Sequence, residues 1–189
     1  MPQSHNSKLF GVSDAKVAPL TADPAGGAAT YGTAIDVPGI KSMSLGGDVT
    51  NAVLRGDNGL LDSDSTLSGL SGTMEMAKLS LDLMAAFLAG TVVDSGTTPA
   101  QLATWALPAP GTRLPYFGIT AKTAASDSVN GDVLFTLFKC VISSYPGGGL
   151  AEEDYSTISV DFVAMPRVAD NKWHSLINRE TAAALIAPA

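Results

Sequence analysis

The sequence predicts a mainly β protein, a β-barrel or sandwich with one flanking α-helix, an extended N-terminal arm and a long loop. Three observations lead there. Short extended segments recur at regular spacing between turn signals. Only one stretch, Leu79 to Ala89, carries a helical apolar stripe. The segment Asp132 to Ser143 is apolar on both faces, as expected for a strand covered on both sides. The chain of 189 residues divides into an arm (1–35), a single β domain (36–178) and a C-terminal tail (179–189).

Residues 1–35 are punctuated by Gly and Pro too often for a helix or a long strand, as in Ala18-Pro19-Leu20-Thr21-Ala22-Asp23-Pro24. They still carry Phe10, Val12, Val17, Leu20 and Tyr31. Disordered tails seldom hold such residues, so an ordered arm that docks on something is expected. Ile40 to Leu54 reads as extended, with a bend at Gly46-Gly47. Arg55 to Ser65 reads as a polar loop holding Asp57, Asn58, Gly59, Asp62 and Asp64, and Thr66 to Met76 as a strand.

The helix follows. Leu79, Leu83, Ala86 and Phe87 fall on one stripe, Ser80 is a natural N-cap and Gly90 a natural stop. Further strands are expected at Gln101 to Leu107, Leu114 to Thr123, Asp132 to Ser143, Thr157 to Met165 and Trp173 to Asn178. In the third of these, strict alternation groups Val133, Phe135, Leu137 and Val141 against Leu134, Thr136, Phe138, Cys140 and Ile142. Turn signals at Asp127 to Gly131, Pro146 to Gly149 and Pro166 to Asn171 separate them.

Charge is sparse. Only 15% of residues are charged, against a usual ~25%. Such a bland surface fits either a Ser/Thr/Gly-coated monomer or a subunit largely covered by its own copies. The balance is acidic, 18 against 11, and no basic cluster appears. This argues against a nucleic-acid-binding module, which needs a basic face. The single cysteine, Cys140, lies in an apolar run and reads as a small buried hydrophobe in a reducing compartment. The first ten residues lack the apolar region of a signal peptide, and Leu83 to Val93 is too short to cross a bilayer.

No catalytic constellation is legible. His5 is in the polar N-terminus, and His174 follows Trp173 beside Ser175 and near Asp170; no nucleophile elbow exists. The Asp57–Asp64 loop has calcium-like ligands without the EF-hand spacing, and one Cys with two distant His cannot close a zinc site. Gly147-Gly148-Gly149 lacks a phosphate-binding pattern, and Glu152, Glu153 and Asp154 read as a solvated loop. Arg55-Gly56-Asp57 matches an adhesion tripeptide, a match short enough to arise by chance. No enzyme activity, metal or cofactor is expected.

The order of segments resembles the major tail proteins that form the tail tube of long-tailed, siphovirus-type bacteriophages. The matching pieces are Gly11 to Asp23, Tyr31, Val37-Pro38-Gly39, Leu54-Arg55-Gly56-Asp57-Asn58, a strand running into the helix that ends at Leu88-Ala89-Gly90, Leu134 to Ile142, Ser156 to Met165, and Arg179-Glu180-Thr181. The resemblance implies a β-barrel or sandwich of the tail tube type, a structural virion protein assembled in the host cytoplasm. Subunits would form hexameric rings through continuous sheet edges, and the rings would stack into a tube that DNA traverses without specific binding. The partners implied are other copies of the chain, the tape measure protein, and the tail terminator and distal tail proteins, with no membrane.

Carried onto this chain, the ring-to-ring contacts would come from Gly11 to Tyr31 and from the Arg55 to Thr66 loop. Within these, Val12, Val17, Leu20, Tyr31, Arg55, Asp57, Leu60 and Leu61 are the expected contact residues. The acidic balance would suit a lumen that must not hold DNA. Two alternatives stand beside this reading. A tube subunit of a secretion or contractile injection system would lack the long arm. A monomeric carbohydrate-binding β-sandwich would display exposed aromatics, of which this chain has few.

Overall fold

The computed structural model describes residues 9–57, 59–125, 131–149, 152 and 155–188. The strands are β1 (Leu9–Ala22), β2 (Thr30–Tyr31), β3 (Ile35–Asp36), β4 (Ile40–Gly56), β5 (Gly59–Met76), β6 (Val92–Ser95), β7 (Leu102–Trp105), β8 (Phe117–Ala125), β9 (Asp132–Ile142), β10 (Ile158–Ala164) and β11 (His174–Asn178). Among the described residues one helix, α1 (Leu81–Leu88), lies between β5 and β6. Strand makes up 55% of the chain, so the mainly β expectation with one helix holds.

Nine strands form one antiparallel sheet in the order β2-β1-β8-β9-β10-β5-β4, with β3 beside β1 and β11 beside β9. β6 and β7 form a separate ribbon. β9 is central, as its two apolar faces predict. β8 takes one edge, while β10 and β11 share the other, opposite Cys140–Ile142 and Val133–Leu137 respectively. Its two faces do not follow strict alternation. A register shift lies between the Phe117–Cys140 and Ile119–Leu137 pairs. The irregularity reverses the parity of the strand, so Cys140 and Ile142 join Leu137 in the main core.

The sheet curls around that core. Val17, Met74, Phe117, Ile119, Val160 and Phe162 fill it, and α1 closes it with Leu83, Phe87 and Leu88. Phe87 meets Phe117 edge to face at 4.9 Å, a favoured aromatic geometry. Ser80 caps the helix as expected, its Oγ accepting the Leu83 N–H at 3.4 Å. The chain leaves the helix through Ala89 and Gly90, both at positive φ, and Trp105 Nε1 donates to the freed Ala89 carbonyl. Leu79 precedes the helix and is exposed, so the buried stripe begins at Leu83 instead.

Two expectations are corrected. The supposed arm is mostly a strand: β1 pairs with β8 from Leu9 to Pro19, and Ala15, Val17 and Ala18 are fully buried. Gly11 sits at φ +62 on a register shift between the Phe10 and Asp14 pairs, a bulge position where Gly is at home. β1 therefore belongs to the same sheet as the strands that follow residue 35. The supposed loop 55–65 is also strand, because β4 and β5 pair until Gly56 faces Gly59.

The C-terminal stretch is strapped to the body. Lys16, Lys122 and Arg179 donate to the carbonyls of Leu185, Ala183 and Ala184, and Asp132 accepts the Ala183 N–H. Leu185 is buried. A second clamp holds the turns that follow β1 and β10. Asp23 accepts from Lys139 Nζ at 2.7 Å and from the Val168 and Ala169 N–H groups. Arg167 lies over the Phe138 ring and grips Asp170 with two nitrogens.

Candidate assembly surface

The β4–β5 hairpin has two halves with different fates. Near the body, β5 pairs with β10 from Leu70 to Met76, so its inner half is flanked on both sides. Beyond Leu70 the hairpin has no neighbouring strand among the described residues, and every described residue from Gly46 to Ser68 is exposed. The projecting part is roughly 30 Å long at ~3.3 Å per residue.

Register assigns its faces. Val49 pairs with Leu67, Asn51 with Ser65 and Val53 with Ser63 on one side; Thr50, Ala52 and Leu54 pair with Thr66, Asp64 and Asp62 on the other. A register shift between Leu54 and Arg55 leaves Leu61 as an extra residue, and its side chain folds against Gly56. Leu60 and Leu61, 63% and 69% exposed, thus sit together near the tip beside Asp57 and Asp62. An isolated two-stranded hairpin is marginal in water, and its free edges and bare aliphatic side chains invite another chain.

The eight residues expected to make ring contacts separate into two groups. Arg55, Asp57, Leu60 and Leu61 are all exposed and close together at the hairpin end. The other four belong to the body. Val17 is fully buried in the chain's own core, so it is withdrawn as a contact residue. Val12 packs on the core, and Leu20 is half-buried. Tyr31 donates its hydroxyl to the Phe138 carbonyl at 2.6 Å and accepts from Arg167; burial foremost pushes its pKa up. Sequence reading missed Val49, Val53, Leu54 and Leu67 as an exposed aliphatic set. The signal was present in Asn58-Gly59, the strongest short hairpin cue, but the aspartates around it suggested a loop.

Electrostatics sharpen the contrast between body and hairpin. Lys16, Lys122, Lys139, Arg167 and Arg179 are consumed in holding the chain's own carbonyls and carboxylates. The projecting half of the hairpin keeps Asp48, Asp57, Asp62 and Asp64 exposed against Arg55. The surface left for a partner is more acidic than the composition implies.

The remaining candidates do not converge. Asp170 is held by Arg167 and Lys172 rather than facing His174 as a catalytic partner. His174 lies near the Phe135 ring, and burial lowers its pKa. Among the described residues no group of three His, Cys, Asp or Glu gathers to hold a metal. Gly147 pairs with Ser159 through two backbone hydrogen bonds. Glu152 is exposed, while His5, Asn58, residues 127–130, Glu153 and Asp154 lie outside the described residues. No protein-family model matches the chain, and no curated protein matches it either.

Proposed function

We propose that the chain is a structural, self-assembling tube subunit with a barrel-like body, of the type that builds the tail tube of long-tailed bacteriophages. One observation carries the reading: a long hairpin projects from a well-packed body with exposed aliphatic side chains and, among the described residues, both edges bare. Such a ribbon is suited to bridging copies. Free edges also exist on the body, along the outer side of β4 and on β11, where Leu176 and Ile177 are exposed. Heterologous pairing of edges closes into a ring when the rotation is right, and rings then stack.

The acidic hairpin and the internally consumed cations support a lumen that lets DNA pass without gripping it, since phosphate binding needs free Lys and Arg. The tape measure, tail terminator and distal tail proteins are the further partners this role entails. A second reading, the tube of a secretion or contractile injection system, gains from one finding. The segment that set the two apart, Gly11 to Tyr31, is largely a strand of the body rather than a free arm.

Negative-stain electron microscopy with light scattering on the concentrated protein tests the assembly. Rings or hollow tubes of constant bore are expected. A strictly monomeric particle at every concentration overturns self-assembly. In a ring structure, a net basic lumen overturns the account of DNA passage.

A further inference from the structure

We infer that the groove between β1 and β4 is the receptor for the hairpin tip of a second copy, joining subunits head to tail. The inference rests on the assembly reading above and names the partner surface that reading leaves open. The groove measures about 360 Å³ and is lined by Leu9, Val12, Met43, Leu45 and Phe135. It lies where the two ends of the curled sheet approach each other without a shared ladder. Its apolar walls have room for a pair of aliphatic side chains.

The tip offers such a pair. Leu60 and Leu61 are adjacent and exposed, and Asp57 and Asp62 flank them. The groove lining carries the opposite charge in Lys41 and Lys122, and Glu75 stands beside it, accepting from the Ser42 hydroxyl. Lys41 is exposed and forms no ion pair among the described residues. Lys122, the other cation at the groove, is engaged by Asp132 and the Ala183 carbonyl. An apolar pair flanked by carboxylates therefore meets an apolar groove with one free ammonium group, an arrangement that fixes register and discriminates partners.

Geometry excludes the chain's own tip. Met43 lies on β4 opposite Met74 of β5, and the tip lies roughly 40 Å away at the far end of the β4–β5 ladder. A tip can therefore reach only another molecule's groove, and because donor and receptor are different surfaces the contact propagates. Residues 1–8, which precede the groove residue Leu9, are polar apart from Met1 and Pro2, a poor match for aliphatic walls.

The test uses the full chain. The double variant Ser42→Cys with Leu61→Cys, both at exposed positions, is oxidised at concentrations where the native protein associates, and a ladder of covalent multimers is expected. Lys41→Glu and Asp62→Lys should each raise the concentration needed for association by about tenfold or more. Mixing the two variants should restore it, because each groove then meets a tip of opposite charge. Tubes that form without a ladder, and that both charge reversals leave intact, overturn the groove while the tube reading stands. A ladder without hollow tubes in the microscope keeps the groove and removes the tube. Absence of association and of a ladder overturns both. The single variant Ser42→Cys supplies a last control. If its new thiol is protected from maleimide in the monomer and becomes reactive once residues 1–8 are deleted, the groove belongs to the chain's own N-terminus and the inference fails.

Discussion

Excising the hairpin should leave the body folded and remove its capacity to assemble. Asp48 and Gly69 already face each other across the ladder, so residues 49–68 can be replaced by a two-residue Asn-Gly turn. Every described residue removed is exposed, so almost no buried apolar surface is lost. The ladder hydrogen bonds that go belong to a solvated ribbon of marginal intrinsic stability. Shortening the connection from about 20 residues to 2 favours folding by at most ~2 kcal/mol of loop-closure entropy, if the excised ribbon contributed nothing. These opposing terms leave a net change within about 1 kcal/mol, or a Tm shift of roughly 2–4 °C for a chain of this size. Thermal melting by circular dichroism reads the first half of the prediction and sedimentation velocity the second. A loss above about 3 kcal/mol would mean that the ribbon packs against its own body, and the reasoning from its exposure would collapse. Unchanged association would show equally clearly that the ribbon is not the bridging element.

Four further outcomes follow from the packing and the charges. A methyl group at Gly72 would lie 2.6 Å from both the Phe162 ring and the Ser44 carbonyl. Gly72→Ala should therefore cost about 1–3 kcal/mol in denaturant melts, and a neutral result would refute the tight packing there. Asp23→Ala leaves the Val168 and Ala169 N–H groups and Lys139 without their acceptor; a loss of about 1–3 kcal/mol is expected, read from the urea midpoint. Stability should also fall in acid. Arg167 and then Lys172 hold Asp170 well below the usual carboxylate range, and the Thr73 and Ser144 hydroxyls lower Asp161. Burial opposes the shift at Asp23, but Lys139 and the two N–H groups outweigh it. Each folded pKa lies below its unfolded value, so the native state binds fewer protons; the stability is present above the unfolded carboxyl range and is lost as pH falls below about 4. Urea midpoints that stay flat across that range would contradict the assigned contacts. Lastly, burial pushes the Cys140 thiol up, so a disulfide reagent should label it only as fast as the chain unfolds. Rapid labelling in native buffer would show that the main core is open there.

The sequence by itself determined the elements whose signals are local and dense. β9 announced its central place because a strand apolar on both faces has to be covered on both. α1 followed from one stripe between a serine cap and a glycine stop. Strands corresponding to β7, β8, β10 and β11 were legible from β-branched and apolar runs between turns.

Tertiary structure decided the rest, for reasons that lie outside any short window. β1 is a strand although Gly11 and Pro19 interrupt it, because pairing with β8 and the burial of Ala15, Val17 and Ala18 outweigh local punctuation. The parity of β9 depends on a register shift against a strand that precedes it in the chain, and only that shift brings Cys140 and Ile142 into the core. Of the residues expected to reach a neighbour, β1 drew Val17 inside while the hairpin kept Leu60 and Leu61 outside. Hydrophobicity is alike at all three, so the difference lies in which strands stand beside them. That is set by pairings between segments far apart in sequence, and only the folded sheet contains them.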